Sequence, residues 1–126
     1  LTTDLRRALF FAQRKGVEIC FLFPRRSDNF LADCLARLFY NILLKHKMKI
    51  FHYTSSMLHA KSISIDGKWA TVGSCNLDWL SIWLNYELNV VSENPAFASE
   101  LEAIFLKDIQ ESVEVTKETK GWYGLF

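Results

Sequence analysis

The chain has 126 residues, half of them hydrophobic, which suits a globular domain with one hydrophobic core. No run approaches the roughly 18 consecutive apolar residues of a membrane-spanning helix, and the opening LTTDLRRALFF has no signal-peptide pattern. Its cysteines, Cys20, Cys34 and Cys75, are too few and too scattered for a disulfide framework or a zinc site.

Charge is unevenly distributed along the chain, although the net charge is only +1. Residues 1–50 carry ten basic and four acidic side chains, whereas residues 51–126 carry five and ten. A basic first half could face phosphates or anionic lipid. Ordinary surface charge on helices is the simpler interpretation.

The first predicted elements are a helix and a buried strand. Helical spacing of apolar residues runs from Thr3 to Lys15, and Gly16 ends the helix. A short apolar run from Val17 to Phe23, stopped by Pro24, predicts a strand. The residues expected on the inner face of the helix are Leu5, Leu9, Phe10 and Ala12.

A second helix and a second strand follow. RRSDN reads as a loop in which Ser27 or Asp28 caps a helix running from Phe30 to about His46. MKIFHY is another short strand. The residues expected to face inward on this helix are Leu31, Cys34, Leu35, Leu38, Ile42 and one of Leu43 and Leu44.

The second half of the chain begins with a hairpin. Leu58 to Ile65 alternates and is β-branched, Asp66-Gly67 is a strong hairpin-turn signal, and Trp69 to Gly73 returns as a strand. NYELNVVS predicts one more strand. Pro95 then opens a helix to about Glu111, with Phe97, Leu101, Ile104, Phe105 and Ile109 on one face.

The resulting order of helices and strands predicts an α/β fold with a mixed β-sheet flanked by helices. The last dozen residues are weakly patterned, and GWYGLF reads as a frayed terminus or as a contact with a membrane or partner.

The predicted hairpin carries the residues best suited to catalysis. If His59 and Lys61 share a strand, their side chains project from one face about 6–7 Å apart. An imidazole beside an ammonium suits attack on a phosphoryl group, because histidine supplies a nucleophile or proton carrier and lysine neutralises the non-bridging oxygens. Asp66 has the other parity and sits at the hairpin tip, so we expect it to hold the turn or a neighbouring loop.

Residues further along the chain complete the expected site. Gly73, Ser74, Cys75 and Asn76 follow the return strand, where a hydroxyl, a carboxamide and backbone N–H groups can donate to a phosphate. Glu87 opens the next predicted strand, where its carboxylate can accept the second ring N–H of His59. His46 and His52 have no such set of polar residues near them in sequence and are expected to be surface or boundary residues.

At these residues the chain resembles the phospholipase D superfamily, whose signature is His-x-Lys-x4-Asp followed by Gly-Ser-x-Asn. Here those are His59, Lys61 and Asp66, then Gly73, Ser74 and Asn76. The stretches RKGVEICFLFP, SDN, LHAKSISIDGKWATVGSCNLD and LNYELNVV extend the likeness over most of the chain, most specifically to the second catalytic half of bacterial cardiolipin synthases. One departure is that Trp79, Leu80 and Ser81 follow Asp78, where members typically have Pro-Arg-Ser.

The resemblance implies a phosphodiester exchange that needs no metal or other cofactor. One histidine attacks phosphorus and forms a phosphohistidine, while a partner histidine protonates the leaving alcohol and then activates the incoming alcohol or water. The family pattern makes His59 the general acid/base, with Lys61, Ser74 and Asn76 binding phosphate and Asp66 and Glu87 completing the catalytic set. The implied fold is one phospholipase D-like half.

The signature occurs once in this chain, whereas the family's active site needs two copies. We therefore expect residues 1–126 to be a single domain, the C-terminal half of a longer enzyme that is truncated at its N-terminus. The other half would come from the same longer chain or from a homodimer. The implied substrate is a phospholipid such as phosphatidylglycerol, and the implied location is the cytoplasmic face or the periphery of the bacterial inner membrane.

Two other functions remain open on the sequence alone. A one-motif homodimer acting as a metal-independent nuclease or phosphodiesterase would fit the basic first half and would take nucleic acid as its substrate. An inactive half-domain or interaction module would fit the single copy of the signature.

Overall fold

A computed structural model describes residues 2–25, 39–75 and 86–116 of the chain. The α/β class predicted from the sequence is confirmed, and none of the helices in these ranges combines the length and apolar content that crossing a bilayer requires. In order, the elements are α1 (Thr3–Arg14), β1 (Cys20–Pro24), α2 (described over residues 39–45), β2 (Lys49–Tyr53), β3 (Lys61–Ile65), β4 (Trp69–Gly73), β5 (Asn89–Ser92), α3 (Pro95–Gln110) and β6 (Ser112–Glu114).

These elements form two compact units. The parallel unit contains most of α1 together with β1, α2, β2 and β6, and the hairpin unit contains β3, β4, β5 and α3. The strands are divided in the same way into two three-stranded sheets, in the orders β1-β2-β6 and β3-β4-β5.

Helix α1 is capped at both ends by its own sequence. The hydroxyl of Thr2 accepts the N–H of Leu5 at 3.4 Å, as a helix N-cap does. At the other end Gly16 has a φ of 90°, its N–H donates to the Gln13 carbonyl at 2.9 Å, and the N–H of Val17 donates to the Ala12 carbonyl at 3.1 Å. This paired arrangement is the Schellman motif, which requires the left-handed conformation that glycine adopts without strain.

The parallel unit is a β-α-β crossover extended by one short strand. β1 runs parallel to β2, with Cys20 opposite Lys49 and Pro24 opposite Tyr53. The prediction that the first strand begins at Val17 is wrong, because Val17 still closes the end of α1 and β2 offers strand partners only from Lys49 onward. β6, which was not predicted, pairs antiparallel with β2.

The core of the parallel unit forms where α2 meets β2. Leu43, Met48 and Ile50 are at most 2% exposed, and Leu43 settles the choice left open for the inner face of α2. His52 was expected at the surface or boundary, and that prediction is wrong: it is buried on β2, where its Nε2 lies 3.1 Å from the Tyr40 hydroxyl. The hydroxyl gives the buried imidazole a polar partner, which lowers the cost of burying it.

The hairpin unit is built around the predicted Asp66-Gly67 turn. Both residues are in the left-handed region, with φ values of 53° and 60°, and the N–H of Lys68 donates to the Ile65 carbonyl at 3.0 Å. Two successive positive φ values characterise the primed turns that suit the twist of a hairpin. β4 has the predicted bounds, whereas β3 begins at Lys61 rather than Leu58 and β5 begins only at Asn89.

Helix α3 packs on β3 and β4 through a face slightly different from the one predicted. Asn94 caps the helix, because its Oδ1 accepts the N–H of Ala96 at 2.9 Å, and Pro95 takes the first helical position. Ala98 is fully buried, whereas Phe97 and Ile104, which were predicted to face inward, are 38% and 52% exposed. A small alanine at the contact lets the helix approach the sheet closely, which turns Phe97 outward.

The first prediction concerns Gly73, where β4 is bonded to strands on both sides. A Cβ at this position would meet the Asn89 side chain and the Leu88 carbonyl, and would lie 2.6 Å from the Asn89 Cα. Because much of this obstacle is backbone, we expect Gly73→Ala to lower the free energy of unfolding by about 1–3 kcal/mol in urea denaturation.

Ser62→Ala is the control, since Ser62 is exposed on the neighbouring strand, and its effect should stay within about 0.5 kcal/mol. A Gly73→Ala chain as stable as wild type would contradict the close approach of β4 and β5.

Candidate active site

Three strand ends meet at one edge of the β3-β4-β5 sheet. β3 begins at Lys61, which pairs with Gly73 at the end of β4, and Gly73 in turn pairs with Asn89 at the start of β5. His59, Ser74 and Glu87 each lie one or two residues beyond these ends. Antiparallel pairing therefore collects side chains from three separate stretches of sequence at a single edge.

His59 and Lys61 are linked in a way that their spacing did not predict. Because β3 starts at Lys61, the expectation that the two residues lie on the same strand is wrong. The ammonium of Lys61 instead donates to the backbone carbonyl of His59 at 2.7 Å. His59 is exposed, whereas Lys61, the first residue of β3, is half-buried. The lysine side chain thus holds the exposed histidine segment against the start of the strand.

Ser74 and Glu87 form the second linked pair at this edge. The Ser74 hydroxyl donates to Oε2 of Glu87 and accepts the N–H of Leu88 at 3.0 Å. The N–H of Ser74 donates to the Leu88 carbonyl at 3.0 Å, which continues the β4–β5 ladder by one step. The hydroxyl was expected to face a phosphate, but in this structure it fixes the residues that lead into β5.

The carboxylate of Glu87 was expected to bond the ring of His59. In the described part of the chain its hydrogen bond comes from Ser74 through Oε2. Asn89 adds a contact that was not predicted, because its Oδ1 accepts the N–H of Cys75 at 3.3 Å. Leu88 takes part through its backbone N–H and carbonyl, so its own residue type gives no signal for these bonds.

The remaining expected residues lie elsewhere. Asn76 falls outside the described residues. Asp66 lies in the turn at the opposite end of the hairpin, and the strand from Lys61 to Ile65 is about 13 Å long. The turn rests on α3, where the hydroxyl of Ser99 donates to the Gly67 carbonyl at 3.3 Å.

A groove of the hairpin unit lies at the turn end rather than at the site edge. It is open, measures about 820 Å³ and is lined in part by Asp66, Lys68, Glu93 and Glu102. Three carboxylates against one ammonium disfavour an anionic phosphodiester there. Across the described ranges, no group of three or more His, Cys, Asp or Glu side chains is placed to hold a metal ion.

Comparison with known families identifies the family of the chain. Residues 1–109 match a family model described as "Cardiolipin synthase, PLD-like domain". The chain belongs to this phospholipase D-like family. The match includes residues of both units, except for β6, and all the candidate site residues named above, and it supports the likeness drawn from the His-x-Lys-x4-Asp signature.

Curated relatives of this phospholipase D-like domain are named cardiolipin synthase A. Cardiolipin synthase A of Proteus mirabilis (strain HI4320) is 37% identical over 113 residues, which is 90% of this chain and 23% of the relative. Cardiolipin synthase A of Klebsiella pneumoniae (strain 342) is 37% identical over 101 residues, which is 80% of this chain and 21% of the relative. The chain thus spans less than a quarter of the length of these relatives.

A solved structure shares the fold of the domain. The phospholipase D family member Nuc from Salmonella typhimurium matches with a TM-score of 0.78 and 19% identity, over 92% of this chain and 76% of that one. The phospholipase D-like fold expected from the resemblance is therefore confirmed.

The second prediction tests the Ser74–Glu87 link. Ser74→Ala removes the donor to Glu87 and the acceptor of the Leu88 N–H. We expect the free energy of unfolding to fall by about 1–2 kcal/mol, with faster hydrogen exchange at the Leu88 amide. The Ser62→Ala chain is again the reference, and unchanged exchange at Leu88 in Ser74→Ala would disprove the hydroxyl's role in holding this segment.

Proposed function

We propose that this domain supplies one half of the active site of a phosphatidyltransferase that makes cardiolipin. The observation that carries the proposal is that His59, Lys61, Ser74 and Glu87 lie at one edge of a sheet in a cardiolipin synthase-like domain. The substrate is phosphatidylglycerol, serving both as donor of the phosphatidyl group and, through its glycerol hydroxyl, as acceptor. The name carried by the relatives supports this choice of reaction.

The reaction proceeds by two displacements at phosphorus. A histidine from the second half attacks the donor lipid, so that a P–N bond forms and the P–O bond to glycerol breaks. His59, as general acid, gives its proton to the leaving glycerol oxygen. It then takes the proton of the acceptor hydroxyl, whose oxygen forms the new P–O bond as the P–N bond breaks and the nucleophile is released.

Lys61 supplies the positive charge that this reaction needs at the phosphoryl group. Its ammonium contacts the His59 carbonyl in the free domain, a neutral acceptor that a phosphate oxygen can replace. A charge-assisted hydrogen bond to an anionic oxygen is stronger than one to a neutral carbonyl. Substrate binding therefore favours moving the lysine from the backbone to the phosphoryl oxygens, where it stabilises developing charge.

Glu87 acts by orienting His59. Ser74 bonds one carboxylate oxygen, Oε2, and fixes the position of the acid at the edge from which the His59 segment extends. The carboxylate has a second oxygen that can accept a ring N–H, which would select the tautomer and stabilise the imidazolium formed during transfer. Asn76 serves as a neutral donor to phosphate, and Asp66 maintains the turn.

The second half of the site comes from the same longer chain or from a homodimer, and the reaction needs no metal or other cofactor. The complete enzyme works at the cytoplasmic face or the periphery of the bacterial inner membrane, where its lipid substrate is found. The length of the relatives, of which this chain spans less than a quarter, supports a second half within a longer chain.

The third prediction is that His59→Asn in the full-length protein lowers cardiolipin formation from phosphatidylglycerol about a thousandfold, because the general acid/base is lost. Lys61→Gln should lower it by about a hundredfold or more. Product is measured by mass spectrometry with EDTA present.

His46→Asn is the matched control, since it makes the same substitution at a histidine that stacks on Phe10 and lies outside the site edge. It should keep activity within about threefold, because surface and boundary changes have small effects. Cardiolipin formed at the normal rate by His59→Asn would refute the proposed function.

A metal-independent nuclease is the second candidate, favoured by the excess of basic residues in positions 1–50. Gel filtration comes first, since a nuclease with one motif per chain has to dimerise to complete its site. Incubating the purified full-length protein with DNA, RNA and phosphatidylglycerol in EDTA then separates the two reactions. Cleavage of nucleic acid that disappears in Lys61→Ala would select the nuclease, and the absence of turnover on all three by the full-length protein would favour an inactive half-domain.

A further inference from the structure

One face of α1 combines basic side chains with an exposed aromatic ring. Arg7, Phe11, Arg14 and Lys15 are spaced as neighbours on a helix surface, and all four are exposed. Phe11, the aromatic side chain of this group, is 65% exposed. The ammonium of Lys15 lies 5.4 Å from the centre of the Phe11 ring, so charge and ring project from the same side of the helix.

The end of α2 lies beside α1. Phe10 on α1 stacks on His46, with ring centroids 3.8 Å apart and the planes 16° from parallel. His46 is flanked by Lys45 and Lys47, which are both exposed. We call the combined area the basic-aromatic surface; its residues are Arg7, Phe11, Arg14, Lys15, Lys45 and Lys47.

The positive charge of this surface is largely uncompensated. Within the described ranges, the ion pair that the structure contains joins Glu18 to Lys49, which is outside the surface. Residues 39–49 carry three lysines and no acidic side chain. The acid nearest in sequence to Arg7 is Asp4, in the first turn of α1, whereas Arg14 and Lys15 lie at the opposite end of the helix.

We propose that the basic-aromatic surface binds an anionic phospholipid bilayer, with the lysine and arginine side chains on lipid phosphates and Phe11 inserted at the boundary between headgroups and acyl chains. Basic residues near an anionic membrane each add to the attraction, and a neighbouring apolar side chain adds buried area. Double-stranded DNA attracts the same cations, but a phenyl ring enters it only by unstacking base pairs, whereas at a bilayer the ring buries apolar area at the headgroup–acyl boundary, so the composition of the surface favours lipid.

The test is co-flotation of the chain with vesicles, which requires no turnover and is therefore independent of the proposed reaction. We expect binding to vesicles of equal parts phosphatidylglycerol and phosphatidylcholine. Binding should weaken when salt is raised from about 0.05 to about 0.5 M, because the Debye length shortens severalfold over roughly this range. Pure phosphatidylcholine vesicles should not bind. His59→Asn should bind like wild type, whatever its activity.

Two pairs of variants locate the binding surface. Arg14→Gln with Lys15→Gln should weaken binding about 20-fold or more, whereas Lys68→Gln with Lys107→Gln, which removes the same charge from the hairpin unit, should change it less than about threefold. Phe11→Ser should weaken binding about fivefold, compared with little change for Ile104→Ser, which removes an exposed apolar side chain of α3. Circular dichroism checks that each variant is folded.

Several outcomes would overturn the proposal. These are absence of wild-type binding to phosphatidylglycerol vesicles, equal losses in the test and control pairs, or unchanged binding by Arg14→Gln with Lys15→Gln. Single- or double-stranded DNA that binds more tightly than the vesicles and displaces them from wild type would assign the surface to nucleic acid instead.

Discussion

Gly73 pairs with Lys61 on one side and with Asn89 on the other, and the positions of the candidate site residues follow from this register. A shift of one residue in either pairing would turn alternate side chains to the opposite face of the sheet. A side chain at Gly73 would push β5 away and separate Ser74 from the residues it bonds. The close approach of β4 and β5 is thus the constraint on which the site edge depends.

The two ends of the hairpin unit differ in charge. The site edge contains Lys61, Glu87 and an exposed histidine, while Asp66, Glu93, Glu102 and Lys68 border the groove at the turn end. An anion near the unit is therefore repelled less at the site edge than at the turn end, with the length of β3 between them. Residues 51–126 carry an excess of acids, and the acids of the groove lie away from Lys61.

Local sequence signals predicted the parts of the fold that local interactions stabilise. The Asp66-Gly67 turn, the bounds of β4, the end of α1 at Gly16 and the start of α3 at Pro95 depend on residues within a few positions of each other. The start of β3 was wrong because alternation continues through Leu58 and His59, while a strand needs a partner and β4 ends at Gly73. β6 was missed for the same reason, since three residues carry no periodicity and only pairing with β2 defines them.

The signature predicts which residues make up the candidate site but not how they are arranged. Its residue types and spacing indicate His59, Lys61 and Ser74 as candidate site residues, and Glu87 was added because it opens the next predicted strand. They do not reveal that Lys61 bonds the His59 backbone or that Ser74 bonds Glu87, because both contacts depend on where β3 begins and β4 ends. The burial of His52 could not be predicted from its neighbours in sequence either, because it depends on Tyr40, a residue of α2, lying against it.

The position of His59 just outside β3 has a consequence for how it moves. A ladder residue is held by main-chain bonds that open only when neighbouring pairs open, whereas the His59 carbonyl is held by the tip of one lysine side chain. An exposed side-chain end of this kind changes rotamer in picoseconds to nanoseconds. For the histidine to shift, about one hydrogen bond has to break, and the strand pairing stays intact. The exposed imidazole thus lies on a segment that one side-chain bond holds beside the sheet, and in the proposed reaction this freedom suits a group that serves two alcohols in turn.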